Sequence, residues 1–203
     1  MSGDRIGALV LAGGRSARFG RDKLAEPIDG TPLLDHAVAA VRAVADETVV
    51  VVAPGAIRAV PDGVRLVHDP SAFEGPLAGV AAGLAALAAL APDIDRVIVV
   101  GGDMPTLRDA VLDLLLDRLE GPPRVAAALL DDGGPLPMAI RADPALEVAR
   151  TLLANGERRL RQLPARLDAV VVGAAEWRAL DPDAATLRDV DEPGDLPPSS
   201  CRG

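Results

Sequence analysis

Four short aliphatic runs, at residues 6–11, 48–53, 64–67 and 97–100, are separated by spans long enough to hold a helix. Each ends on a turn signal: Gly13 with Gly14, Pro54 with Gly55, Asp69 with Pro70, and Gly101 with Gly102. Valine-rich runs without polar alternation suit strands buried on both faces, and that arrangement belongs to parallel sheets covered by helices. Later strand-like runs at 124–130 and 169–173 keep the alternation going. Helical spans are expected at 33–41, where Thr31 and Pro32 read as N-cap and first-turn proline, and at 75–90. Others are expected at 106–120, capped by Thr106 with Asp109 three residues on, and from Asp143 and Pro144 to a stop at Asn155 and Gly156. The expected fold class is α/β: a single-domain, three-layer α/β/α sandwich with a mostly parallel sheet. The 203 residues are a natural length for one such domain.

The first strand runs directly into the densest local pattern of the chain, from Leu11, Ala12, Gly13 and Gly14 to Lys23. Glycines where the strand ends let backbone N–H groups come close to a ligand. Arg15, Arg18, Arg21 and Lys23 surround them with positive charge in a chain whose net charge is -9. Oriented amides and cations together describe a phosphate cradle. It is not a Walker A loop, since five residues separate Gly14 from Gly20 and Arg21 follows, and the pattern G-x-G-x-x-G is absent. A glycine-rich βα turn with solvated arginines is the plainer alternative.

Composition limits the rest. Hydrophobic residues make up 49% of the chain but aromatic residues only 1%, so the core is built from Ala, Val and Leu and no aromatic platform for single-stranded nucleic acid exists. The acidic balance gives no general attraction to nucleic acid or to an anionic membrane. One cysteine, Cys201, sits in a Pro/Ser tail (197–203) expected to fray, which excludes an internal disulfide and fits a reducing cytoplasm. No signal peptide or membrane span is expected. With two histidines, no tyrosine and no Gly-x-Ser-x-Gly elbow, hydrolysis by Ser-His-Asp or Cys-His has no candidate.

Two further places carry chemistry. Gly75, Pro76, Leu77, Ala78 and Gly79 open the second helix, whose free N–H groups favour an anion or a base edge; close helix packing is the alternative. Asp103 follows the most apolar strand, where open α/β sheets bind ligands, and is placed to hold a metal. A hard cation bound by one or two carboxylates plus substrate phosphates points to Mg²⁺. The alternative for Asp103, a helix N-cap, is relieved by Thr106.

Leu11, Ala12, Gly13, Gly14, Arg18, Phe19, Gly20, Asp22 and Lys23 together resemble the signature of the MobA-like nucleotidyltransferases. The resemblance continues at 75–79, at Asp103 and Pro105, and at 186–196, where Glu192 and Gly194 depart from the family pattern. It implies a Rossmann-like nucleotidyltransferase sheet. It also implies nucleotide contacts at Leu11, Ala12, Gly13, Gly14, Lys23, Asp69, Gly79 and Asp103, and catalytic roles for Lys23, Arg18 and Asp103. Mg²⁺ would be held by Asp103, with Asp189 or Asp191 returning to it; a turn before a helix is the alternative for that pair. Arg158 and Arg159 resemble a family step near the acceptor phosphate, with a solvated basic face as the alternative. Pro137 after Leu136, and the lack of an aromatic there, depart from the strand that borders the acceptor pocket. Within the family the pattern is most like molybdenum cofactor guanylyltransferase, which implies GTP as donor, molybdopterin as acceptor, no nucleic-acid or membrane partner, and a cytoplasmic reaction. The rivals are a molybdenum cofactor cytidylyltransferase, a phospholactate guanylyltransferase, or a nucleotide-binding regulatory module without turnover.

Overall fold

The computed structural model describes residues 5–13, 22–69, 75–120, 125–131 and 134–195. Its main sheet has seven strands: β1 (Arg5–Leu11), β4 (Glu47–Val52), β5 (Arg65–His68), β6 (Ile94–Gly101), β7 (Ala127–Leu130), β8 (Met138–Arg141) and β9 (Val170–Val172). They lie in the order β5-β4-β1-β6-β8-β7-β9. All pairings are parallel except those of β8, which runs against both β6 and β7.

Within each central strand the side chains divide by parity, as the two-residue repeat of a strand requires. Ala8, Val10, Val50, Val52, Ile98 and Val100 join one buried cluster, with α1 (Leu33–Arg42), α3 (Asp109–Asp117) and α6 (Ala174–Leu180). Leu9, Val49, Val51, Val97 and Val99 join the other, with α2 (Pro76–Leu90), α4 (Ala142–Ala154) and α5 (Gln162–Arg166). The result is the expected three-layer α/β/α sandwich around a mostly parallel sheet. Burial on both faces explains the unbroken valine runs. Among the described residues no helix is long and apolar enough to cross a membrane.

Local expectations change at two helix starts. Thr31 is not the N-cap of the first helix and Pro32 does not lie in its first turn: the two form β3 (Thr31–Pro32), paired antiparallel with β2 (Pro27–Ile28). The two residues between them, Asp29 (φ 50°) and Gly30 (φ 83°), make the positive-φ turn that an Asp-Gly pair favours. Pro32 itself is the cap residue of α1. The third helix begins at Asp109 rather than Thr106, because the Thr106 hydroxyl donates to the Ala185 carbonyl (2.6 Å) and caps nothing.

Candidate active site

At β1 the strand order turns. Successive strands run outward from it through β4 to β5, then return to its other side at β6. Such a reversal opens a crevice beyond the C-terminal strand ends. Leu11 and Gly101 are register partners there, the Ala12 N–H donates to the Val51 carbonyl (2.7 Å), and the Gly102 N–H donates to the Leu11 carbonyl (2.9 Å). The turns carrying Gly13 and Asp103 therefore leave the sheet side by side. A Cβ at Gly101 would stand 2.4 Å from Asp103 Oδ1, and one at Gly102 would stand 3.0 Å from Leu34 Cδ1. The missing side chain at Gly101 is what lets the Asp103 carboxylate fold back over the end of β6, while Gly102 makes room for Leu34.

Lys23 enters the crevice from a 3-10 turn at Lys23–Ala25, whose cap, Asp22, accepts from the Leu24 N–H (3.2 Å). Its ammonium donates to Asp103 Oδ2 (2.8 Å), the Val190 carbonyl (2.9 Å) and Asp191 Oδ1 (3.2 Å). The Lys23 side chain is only 14% exposed. Burial alone would lower its pKa, but hydrogen bonding and charge attraction from Asp103, then Asp191, outweigh that and hold it above the ordinary value. Asp103 is not a helix cap, although Thr106 does not take that role either: its carboxylate is turned to Lys23, and its carbonyl accepts from the Val190 N–H (3.0 Å).

The other expected site residues are placed as follows. Asp69, half-buried, follows β5 and donates its N–H to the Val52 carbonyl (2.8 Å). Gly79 is buried in the first turns of α2, 3.6 Å from Leu11 Cδ2 and Val51 Cγ1 if a Cβ is added, so its neighbours in the structure are packing side chains. Asp191 touches Lys23, whereas Asp189 is exposed and makes no contact with it. Gly14, Arg15, Arg18, Phe19, Gly20 and Arg21 lie outside the described residues. The basic segment around Arg158 and Arg159 precedes α5 and is not a helix face. Gly75 has φ 82°, and a Cβ there would meet the Arg158 carbonyl at 2.8 Å, so this segment abuts the N-terminus of α2. Glu157 fixes it: Oε1 accepts from the N–H groups of Arg158 and Arg159 (2.9 Å each) and Oε2 from the Arg159 guanidinium (2.7 Å). These bonds, the Arg159 side chain first, draw the Glu157 pKa down from 4.5 to about 2.

Two site components carry no signal in the sequence. The Val190 carbonyl is backbone, so any residue supplies it. Arg58 lies in an irregular loop, yet its Nη2 is 2.7 Å from both carboxylate oxygens of Asp22, and so braces the turn that holds Lys23.

The sequence model of the MobA-like NTP transferase domain matches residues 8–171. The chain belongs to this family. A protein of Xanthomonas euvesicatoria named molybdenum cofactor guanylyltransferase is 36% identical over 157 residues, 77% of this chain and 75% of its own. One of Chloroflexus aggregans, named "Probable molybdenum cofactor guanylyltransferase", is 33% identical over 201 residues, 94% of this chain and 91% of its own. Among solved structures, molybdopterin-guanine dinucleotide biosynthesis protein A of Archaeoglobus fulgidus shares the fold, with a TM-score of 0.74 at 21% identity over 94% of each chain. The activity of a MobA-like NTP transferase is nucleotidyl transfer.

A divalent metal is implied by such chemistry. Among the described residues no group of three or more His, Cys, Asp or Glu side chains is assembled as a metal nest. Asp103 and Asp191, however, bring one carboxylate oxygen each to a single ammonium, 2.8 and 3.2 Å away. Two hard oxygen donors converging from separate segments fit Mg²⁺, which is commonly held by one or two carboxylates with substrate phosphates completing its shell.

Proposed function

We propose that this chain moves GMP from GTP to the phosphate of molybdopterin, with release of pyrophosphate, as a single catalytic domain working in the cytoplasm. The observation that carries the reading is the convergence of Lys23, Asp103 and Asp191 at the end of β1 and β6, in a chain whose relatives bear the name molybdenum cofactor guanylyltransferase over most of their length.

The reaction is a displacement at phosphorus. An oxygen of the acceptor phosphate attacks the α-phosphorus of GTP, and a new P–O–P link forms. The bond from that phosphorus to the oxygen it shares with the β-phosphorus breaks, and pyrophosphate leaves with the electron pair. The acceptor phosphate is already an anion at pH 7, so no general base is required, and positioning and charge neutralisation supply most of the catalysis. This suits a site whose nearby histidines are engaged elsewhere: His36 Nε2 is 3.1 Å from the Ile28 carbonyl and His68 Nε2 is 3.0 Å from the Ala56 carbonyl.

Ala12 and Gly13, with Asp69 across the same edge, border the nucleotide. Among the described residues Lys23 donates to Asp103, to the Val190 carbonyl and to Asp191, and the longest of these bonds goes to the exposed Asp191 carboxylate. That bond is the one a phosphate oxygen replaces when GTP enters, leaving Lys23 anchored by Asp103 and Val190. Asp103 and Asp191 would hold Mg²⁺, which when bound supplies further neutralisation of the phosphate charge. Arg18, together with Lys23, neutralises charge on the transferring and leaving groups.

Thermal stability measured with GTP, CTP, ATP and UTP, each with and without Mg²⁺, tests the reading. A ligand present at 100 times its Kd stabilises the folded state by about 2.7 kcal/mol. Selective, Mg²⁺-dependent stabilisation by GTP is expected. Selectivity for CTP, or no response to any nucleotide, contradicts it.

A further inference from the structure

Asp181 is 1% exposed, follows α6, and lies outside every motif that marks the family. A buried carboxylate is costly unless it is hydrogen-bonded, and this one is. Oδ1 accepts from the Ala185 N–H (3.0 Å) and Oδ2 from the Thr186 N–H (2.7 Å), closing the 3-10 turn Ala185–Leu187. That turn is joined in two places to the segment after Asp103. Thr106 Oγ1 donates to the Ala185 carbonyl (2.6 Å), and Thr186 Oγ1, itself fully buried, accepts from the Arg108 N–H (3.1 Å). The chain then runs without a helix or strand to Val190, whose N–H donates to the Asp103 carbonyl and whose own carbonyl accepts from Lys23. Asp195 Oδ2 holds the next two N–H groups, at Asp191 (2.9 Å) and Glu192 (2.7 Å).

We propose that Asp181 is a positioning residue for the transfer reaction: by closing the turn at 185–187, which the Thr106 and Thr186 hydroxyls tie to the segment at 106–108, it fixes where the closing segment delivers the Val190 carbonyl and the Asp191 carboxylate to Lys23. The proposal rests on the reading of Lys23, Asp103 and Asp191 as the reaction centre. Asp181 touches none of the three. Its effect passes along the backbone, so a shift of the 185–187 turn moves Asp191 against Lys23 while leaving the turn at Ala12 and Gly13 and the end of β5 in place. Catalysis therefore falls further than nucleotide affinity, part of which the undisturbed turn at Ala12 and Gly13 still supplies. Misplacing a group at a reaction centre by about 1 Å costs roughly a hundredfold in rate.

The test uses the full chain and its D181N and D181A variants, with T186V as a second route that removes the hydroxyl accepting from Arg108 but keeps side-chain shape. Two readouts are taken: kcat against KM for GTP, and hydrogen exchange at the Val190 amide. In the D181A protein kcat falls about a hundredfold, and KM for GTP rises by a smaller factor, about tenfold or less. D181N, which keeps one acceptor oxygen, and T186V fall between it and the parent chain. Exchange at Val190 speeds up at least about tenfold in D181A, because local opening no longer requires release of the 185–187 turn. Unchanged Val190 exchange in D181N, D181A and T186V overturns the proposal. So does loss of activity in proportion to unfolded protein with kcat per folded molecule preserved. If the parent chain turns over no GTP yet Val190 exchange rises in the variants, the positioning role stands and the assigned reaction is what fails.

Discussion

Lys23 and Asp103 are 80 positions apart in the chain and 2.8 Å apart in space. Their pairing joins the turn after β1 to the turn after β6, and the Val190 carbonyl and Asp191 close the group from a third segment. Lys23→Ala removes the cation and leaves two carboxylates facing each other, whereas Asp103→Asn keeps shape and removes charge. Each is expected to lower kcat about a hundredfold or more with the fold intact, since one preorganised charge is worth that much in comparable sites. Pyrophosphate release by proteins of unchanged circular dichroism checks it.

Arg58 and Asp22 form a pair whose carboxylate is half open to solvent, so its contribution to stability is small, about 1 kcal/mol or less. Its contribution to activity is larger, because Asp22 also caps the turn that starts at Lys23. Arg58→Ala is expected to leave the unfolding midpoint nearly unchanged and to reduce kcat roughly tenfold. Equal loss of stability and activity would contradict the bracing role.

Gly75 occupies a positive φ against the Arg158 carbonyl, a position no side chain accepts without displacing backbone. Gly75→Ala is expected to destabilise by about 1–3 kcal/mol. Gly173→Ala is the comparison: a Cβ there meets nothing within 4 Å and the backbone, at φ -68°, is ordinary, so its cost is that of a changed N-cap to α6, about 1 kcal/mol or less. Urea midpoints of the two proteins measure the difference.

Much of this arrangement was legible in the order of residues. The parity of Ala8, Leu9 and Val10, or of Val49 and Val50, is set by burial on two faces, and unbroken valine runs announce that burial. Asp103 was legible because it directly follows the glycines at the end of β6, and Lys23 because it closes the signature that begins with the glycines at the end of β1. What stayed hidden depends on tertiary partners. The Thr106 hydroxyl answers to Ala185, 79 positions later, so its N-cap signal misleads; Asp29 and Gly30 form a hairpin turn inside what reads as a plain connector. Arg58 belongs to no local pattern, and only the folded chain brings it to Asp22, 36 positions earlier.

Glu157 gives a pH-dependent prediction. Its pKa is drawn down in the folded chain, so the stabilisation it gives the segment at 157–159 is full above 4.5 and is lost as pH falls through about 2. Amide chemical shifts of Arg158 and Arg159, both donors to this carboxylate, should titrate together near the lower value. Titration near 4.5 would mean that the carboxylate does not hold the segment.

The most direct measurement of the central claim is pyrophosphate release from GTP in the presence of molybdopterin and Mg²⁺, with CTP as the competing donor and Lys23→Ala as the control. The account predicts release from GTP that depends on molybdopterin, exceeds that from CTP, and falls about a hundredfold or more in the variant. Release that prefers CTP, that proceeds equally without molybdopterin, or that persists in Lys23→Ala would contradict it.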